Sequence, residues 1–162
     1  MVKEGDLAPD VQVQMGDDSM RALSAFGPAS GRPLVLYFYP KDDTSGCTVE
    51  ARDFSELAPA FEAAGVAVLG LSKNSPKDHA KFTAKHQLTV PLATDADGSV
   101  CDAFGTWIEK SMYGRKYMGI ERATFLIDSE GRIAQAWRKV SVPGHAAAVL
   151  AAARALTEPV AS

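Results

Sequence analysis

Chemistry in this chain starts at Cys47, one of only two cysteines in 162 residues. The stretch YFYPKDDTSGCT, residues 37–48, ends an apolar run and passes through Pro40, two acids, Ser45 and Gly46. It then delivers the thiol where a helix can begin. A cysteine in a first helical turn meets the partial positive charge of unpaired backbone N–H groups, which favours thiolate over thiol. The effect is large: an ordinary thiol near pKa 8.5 is about 3% ionised at pH 7, and one near 6 is about 90% ionised. Thr44, three residues earlier, can aim its hydroxyl into the same pocket, and Gly46 lets a ligand approach the backbone. Against this stands the common behaviour of free cysteine as a small buried hydrophobe. A polar strand-to-helix loop is not expected to be a core position, and the two readings balance on physical grounds alone.

The remaining chemistry-bearing residues narrow the choices. Cys101, in GSVCDAFG, lies far from Cys47 in sequence, and no CxxC is present, so neither a disulfide framework nor a zinc knuckle is expected. His79, His86 and His145 show no ligand spacing, and exposed or partly buried rings with no metal are expected. The net charge of −3, the pI near 5.6 and the scattered basic residues argue against nucleic acid and anionic membranes as partners. MVKEGDLAPD lacks an apolar signal-like core, and no apolar run approaches a membrane span, so a soluble cytoplasmic protein is expected.

The elements that must position Cys47 read as an α/β chain, residues 1–162 forming one domain. PLVLYFY (33–39) is an unbroken apolar and aromatic run, the pattern of a central strand buried on both faces. Further strands are expected at 66–72, at 90–93, and at 122–128 and 132–138, the last two a hairpin around SEG. Phe54, Leu57 and Phe61 repeat at helical spacing, with a kink or break expected near Ser55 to Pro59. Ser75 and Pro76 open a second helix that turns Phe82 and Leu88 inward. A short helix at 99–105 and an alanine-rich one from His145 complete the order βαβαβαββα. DVQVQMGDDSMRAL reads as a peripheral hairpin. Residues 106–121, without clear period, read as a functional or packing loop.

PxxxTxxC, here Pro40, Thr44 and Cys47 after VLYFY, resembles the active-site signature of peroxiredoxins. With GDLAPD and YGRKYMGIERATFLIDSEGRI the similarity extends over nearly the whole chain, to the bacterioferritin comigratory protein or peroxiredoxin Q branch. The resemblance implies a thioredoxin-like fold: a central mixed five-stranded sheet flanked by helices, with an N-terminal β-hairpin. It implies a thiol-dependent peroxidase that reduces hydrogen peroxide and organic hydroperoxides without metal or organic cofactor. Cys47 would be the nucleophile, Thr44 the peroxide ligand and Pro40 the shield against water. The N–H groups of Gly46 and Cys47 would be donors to substrate, and Arg122 the permanent cation beside the sulfur. On physical grounds alone Arg122 reads as an exposed strand-end arginine. Glu50, at the family's TxEA position, would orient Arg122 or complement the helix dipole. Asp42 and Asp43 receive no role.

One departure bears on the cycle. The branch commonly carries a second, resolving cysteine five residues after the first or in the next helix; here Arg52 stands at the former, and AKFTAKHQL has none. Cys101 is the remaining candidate and does not match a known resolving site. Cys101 reads either as a small residue packed beside Phe104 or as an unusual resolving thiol. A disulfide needs Cα atoms within about 7 Å, so unless the two sites are adjacent the helix from Cys47 must partly unwind, which Pro59 eases. A one-cysteine cycle is expected, with an external thiol as reductant. Thioredoxin, or glutaredoxin and glutathione, would be the donor, and the chain a monomer. The competing functions are a thiol–disulfide oxidoreductase, disfavoured by the missing CxxC, and a non-enzymatic redox sensor.

Overall fold

A computed structural model describes residues 2–157. The buried run forms β3 (Leu34–Phe38), every residue of which is inaccessible. It pairs in parallel with β4 (Ala67–Ser72) and antiparallel with β8 (Ala123–Ile127), Phe38 lying opposite Ala123. β5 (Leu92–Thr94) and β9 (Ile133–Trp137) continue the sheet on either side. Because alternate residues of a strand face opposite ways, β3 feeds two cores. Val35 and Tyr37 pack with Cys47, Phe54 and Phe61, while Leu34, Leu36 and Phe38 pack with Cys101, Phe104 and Phe125.

The N-terminal hairpin, β1 (Gln12–Gln14) with β2 (Met20–Ala22), is less peripheral than expected. Gln14 pairs with Thr94, which adds both strands to the sheet and makes it seven-stranded, in the order β2-β1-β5-β4-β3-β8-β9. The four helices are α1 (Ser45–Ala63), α2 (Pro76–His86), α3 (Ser99–Phe104) and α4 (His145–Thr157). The Ser75 hydroxyl caps α2 by accepting from the Asp78 N–H, and Phe82 and Leu88 are buried.

A break at Pro59 and a loop at 106–121 are both absent, for identifiable reasons. α1 runs without a break through Pro59. Proline at 59 deprives the Ser55 carbonyl of its helical donor, and the Thr89 hydroxyl donates to that carbonyl at 3.3 Å. The Ser55 hydroxyl accepts from the backbone N–H groups of Thr89 and Val90, so the segment before β5 satisfies the notch that the proline creates.

Residues 106–121 are not a loop. They hold a second hairpin, β6 (Trp107–Met112) and β7 (Arg115–Ile120), paired over six positions. Its turn residues Tyr113 and Gly114 both have positive φ, 52° and 78°, as a tight two-residue hairpin turn requires. Asparagine or aspartate usually precedes such a glycine, and a fully solvent-exposed tyrosine concealed the signal. Most of the hairpin is open to solvent, so it lacks the apolar alternation that marks a half-buried strand.

Candidate active site

Cys47 is the third residue of α1, and it is 1% exposed, so the expectation that this is not a core position is overturned. The first α1 hydrogen bond runs from the Thr48 N–H to the Thr44 carbonyl at 2.8 Å. The N–H groups of Ser45, Gly46 and Cys47 therefore have no partner within the helix. Thr44 occupies the cap position with extended dihedrals, but its hydroxyl does not cap. It donates instead to the Lys41 carbonyl at 2.9 Å. That spends its only proton and leaves its lone pairs free to accept a hydrogen bond from an O–H ligand.

Arg122 directly precedes β8, whose pairing with β3 brings it to the end of the sheet from which the Cys47 loop departs. Its Nη2 donates to Cys47 Sγ at 3.3 Å, and its Nη1 donates to Glu50 Oε1 at 2.7 Å. Gly46 makes room for this: a Cβ there would lie 3.2 Å from Nη2. Burial works against the guanidinium charge, but Glu50 and Cys47 outweigh it and hold Arg122 cationic. Arg122 is thus a half-buried partner of the sulfur and not a solvent-facing strand end.

Glu50 is 1% exposed, and burial pushes its carboxyl up to about 7 against the opposing pull of Arg122. Its Oε2 has no hydrogen-bond partner among the described residues. Of its two expected roles, the geometry carries the contact with Arg122. Pro40 is half-buried in the bend between β3 and α1.

The two acids without an expected role hold the loop in place. Asp42 is buried, accepts from the Tyr39 hydroxyl and faces His79 Nδ1 at 2.7 Å, and its own N–H donates to Asn74 Oδ1. His79 Nε2 lies 3.0 Å from the Ala93 carbonyl, a pure acceptor, and donates to it. Asp43 has positive φ (60°) and bonds Lys85 Nζ and His86 Nε2, which hold its carboxyl below the usual range. His79, Phe82 and His86 recur at helical spacing on one face of α2. That spacing was the available clue, and it also explains why His79 is buried.

Cys101 is fully buried at the start of α3, in the core on the other face of the sheet from Cys47. Burial pushes its thiol up to about 12. The two thiols face different cores. No cluster of three or more metal-ligating side chains occurs among the described residues, and none of their helices is long and apolar enough to cross a membrane.

The AhpC/TSA family matches residues 5–136. The chain belongs to that family. It is 53% identical over 126 residues to peroxiredoxin Bcp of Xanthomonas campestris, covering 78% of this chain and 79% of that one. Bcp of Bacillus subtilis is 40% identical over 157 residues, 97% and 98% of the two chains. Among solved structures, Xylella fastidiosa PrxQ superimposes with a TM-score of 0.89 at 41% identity, covering 98% and 99%. The bacterioferritin comigratory protein of Xanthomonas campestris, solved in a study of its alkyl peroxide reduction, gives 0.86 at 44%, covering 96% and 100%. The chain is accordingly a peroxiredoxin of the Bcp and peroxiredoxin Q branch, with the thioredoxin-like fold of that group.

Proposed function

We propose that Cys47 is the nucleophile of a one-cysteine peroxidase cycle. The enzyme class is that of the family: a thiol-dependent peroxidase, with peroxide as substrate and a thiol as reductant. The observation that carries the residue assignment is the 3.3 Å contact of Arg122 Nη2 with Sγ at the open end of α1. A cation and unpaired N–H groups stabilise both a thiolate and the charge that builds on departing oxygen.

In the oxidation step Sγ attacks the nearer peroxide oxygen. The S–O bond forms, the O–O bond breaks, and the electron pair leaves on the distal oxygen. That oxygen takes up a proton to become water or alcohol, and Cys47 becomes a sulfenic acid. Thr44 accepts the hydrogen bond of the hydroperoxide O–H, the Gly46 and Cys47 N–H groups donate to its oxygens, and Pro40 excludes water. Two external thiols then return the sulfur to the thiol and leave as a disulfide. The burial of Cys101 in the opposite core supports reduction from outside. Two cysteines without a partner suit a reducing cytoplasm, and thioredoxin, or glutaredoxin with glutathione, is the proposed donor to a monomeric enzyme.

Peroxide turnover with the three reducing systems run side by side tests this reading. Cys47→Ser is expected to abolish turnover, and continued consumption by that variant would refute the assignment. Intact mass after one equivalent of peroxide should show one added oxygen. A loss of two hydrogens in the monomer would mean that Cys101 resolves the cycle.

A further inference from the structure

We infer that Lys110 is the charge that draws an anionic thiol onto oxidised Cys47, an inference that rests on the one-cysteine cycle proposed above. Lys110 lies on β6 opposite Tyr117, and β7 runs directly into Glu121 and Arg122, so the hairpin is anchored beside the reacting sulfur. Its stem crosses Gly119, where a Cβ would sit 3.3 Å from Cδ and 3.5 Å from Cε. A bare glycine thus provides the track along which the side chain is laid, leaving it half-buried.

The charges around Lys110 single it out. Arg122 is paired with Glu50 at 2.7 Å. Glu121 accepts from Arg138 Nε at 2.7 Å and from the Lys139 N–H at 3.0 Å. Lys110 makes no hydrogen bond or ion pair among the described residues. The stem lies over Gly119, three residues before Arg122 along the chain, and Arg122 touches Sγ. Burial and the field of Arg122 press the Lys110 pKa down, while Cys47 and Glu121 act in the other direction. While Cys47 is a thiolate, it balances this extra positive charge. Oxidation to the neutral sulfenic acid removes that balance and leaves Lys110 uncompensated where the next reactant must arrive. That reactant is a thiolate. It attacks Sγ, an S–S bond forms, and the S–O bond breaks as hydroxide leaves and takes up a proton. A second thiol then releases the disulfide and Cys47.

The test uses full-length protein oxidised with one equivalent of hydrogen peroxide and confirmed by mass. It is then reduced with 3-mercaptopropionate, 2-mercaptoethanol or cysteamine, whose thiolate forms carry net charges of about −2, −1 and 0 at neutral pH. Rates are compared per thiolate. Lys110→Met is expected to slow mercaptopropionate about fivefold to tenfold, mercaptoethanol less, and cysteamine less than about twofold. Lys110→Arg is expected to restore the order. Equal losses for all three thiols, or no loss, would overturn the inference alone. A disulfide in place of the sulfenic acid would overturn the one-cysteine reading and this inference with it.

Discussion

Cys47 and Cys101 are close to a controlled pair. Each is the third residue of a helix, each is at most 1% exposed, and each packs against one face of the same central strand. What differs is the charge at the helix end. At α3 the Asp95 carboxylate takes the N–H groups of Val100 and Cys101, at 3.1 and 2.9 Å, so the donors are consumed and an anion stands beside the thiol. At α1 the corresponding donors have no such acceptor among the described residues, and the nearest charge is the Arg122 guanidinium, with Nη2 at 3.3 Å. If Cys47 is the nucleophile, as proposed, a helix N-terminus does not make a cysteine reactive by itself. Its effect depends on whether the end is left open and which charge faces it.

The strongest way to break the contrast is to remove the cation. Arg122→Met is expected to lower the second-order rate of Cys47 with hydrogen peroxide by about a hundredfold, roughly 2.7 kcal/mol of transition-state stabilisation. Stopped-flow fluorescence or a competition assay measures it. A loss below about threefold would mean that the unpaired N–H groups alone account for the activity.

Glu50 supplies the next test, because burial raises its carboxyl against the opposing pull of Arg122. In the unfolded chain it ionises near 4.5 and in the folded one near 7, so the native state binds more protons between those values. Its contribution is fully present below about 4.5 and is lost as pH rises to about 7, with an effect on the order of 1–3 kcal/mol. His145, buried against Phe54 and Trp137 with its pKa lowered to about 4, works oppositely: its contribution is lost as pH falls from about 6.5 toward 4. The two slopes partly cancel in the wild type. Glu50→Gln removes only the first, so its stability relative to wild type, by urea denaturation, should improve steadily from pH 4.5 to 7. A difference independent of pH would show that Glu50 is not taken up in protonated form.

How far the sequence revealed all this follows the range of the interactions. β3, the α2 cap and the motif from Pro40 to Cys47 depend on neighbours in the chain, and they were readable. Arg122 lies 75 residues from the sulfur it touches, and its place before a strand carries no local mark of burial. Asp42 and Asp43 reach His79 and His86 across about 40 residues, and only the helical spacing of those histidines hinted at a shared face. The β6–β7 hairpin was hidden by a tyrosine in a left-handed turn, and with it Lys110.

The smallest effect tests Cys101, which has no role in the proposed cycle. Asp95→Asn keeps one acceptor for the two N–H groups at α3 and turns its amide hydrogens toward the other, which should cost about 1–2 kcal/mol in denaturant unfolding. The substitution also removes the anion beside Cys101. Burial, the larger of the causes that push this thiol up, is untouched, because Phe104, Phe125 and the sheet still enclose it. Cys101 should therefore stay unreactive toward peroxide and thiol probes in the folded variant, measured with Cys47→Ser in the same chain. If it became oxidisable, charge alone would decide the difference between the two cysteines. If it stays silent, activation at Cys47 needs two things together: an unoccupied helix end, and a cation strong enough to offset burial.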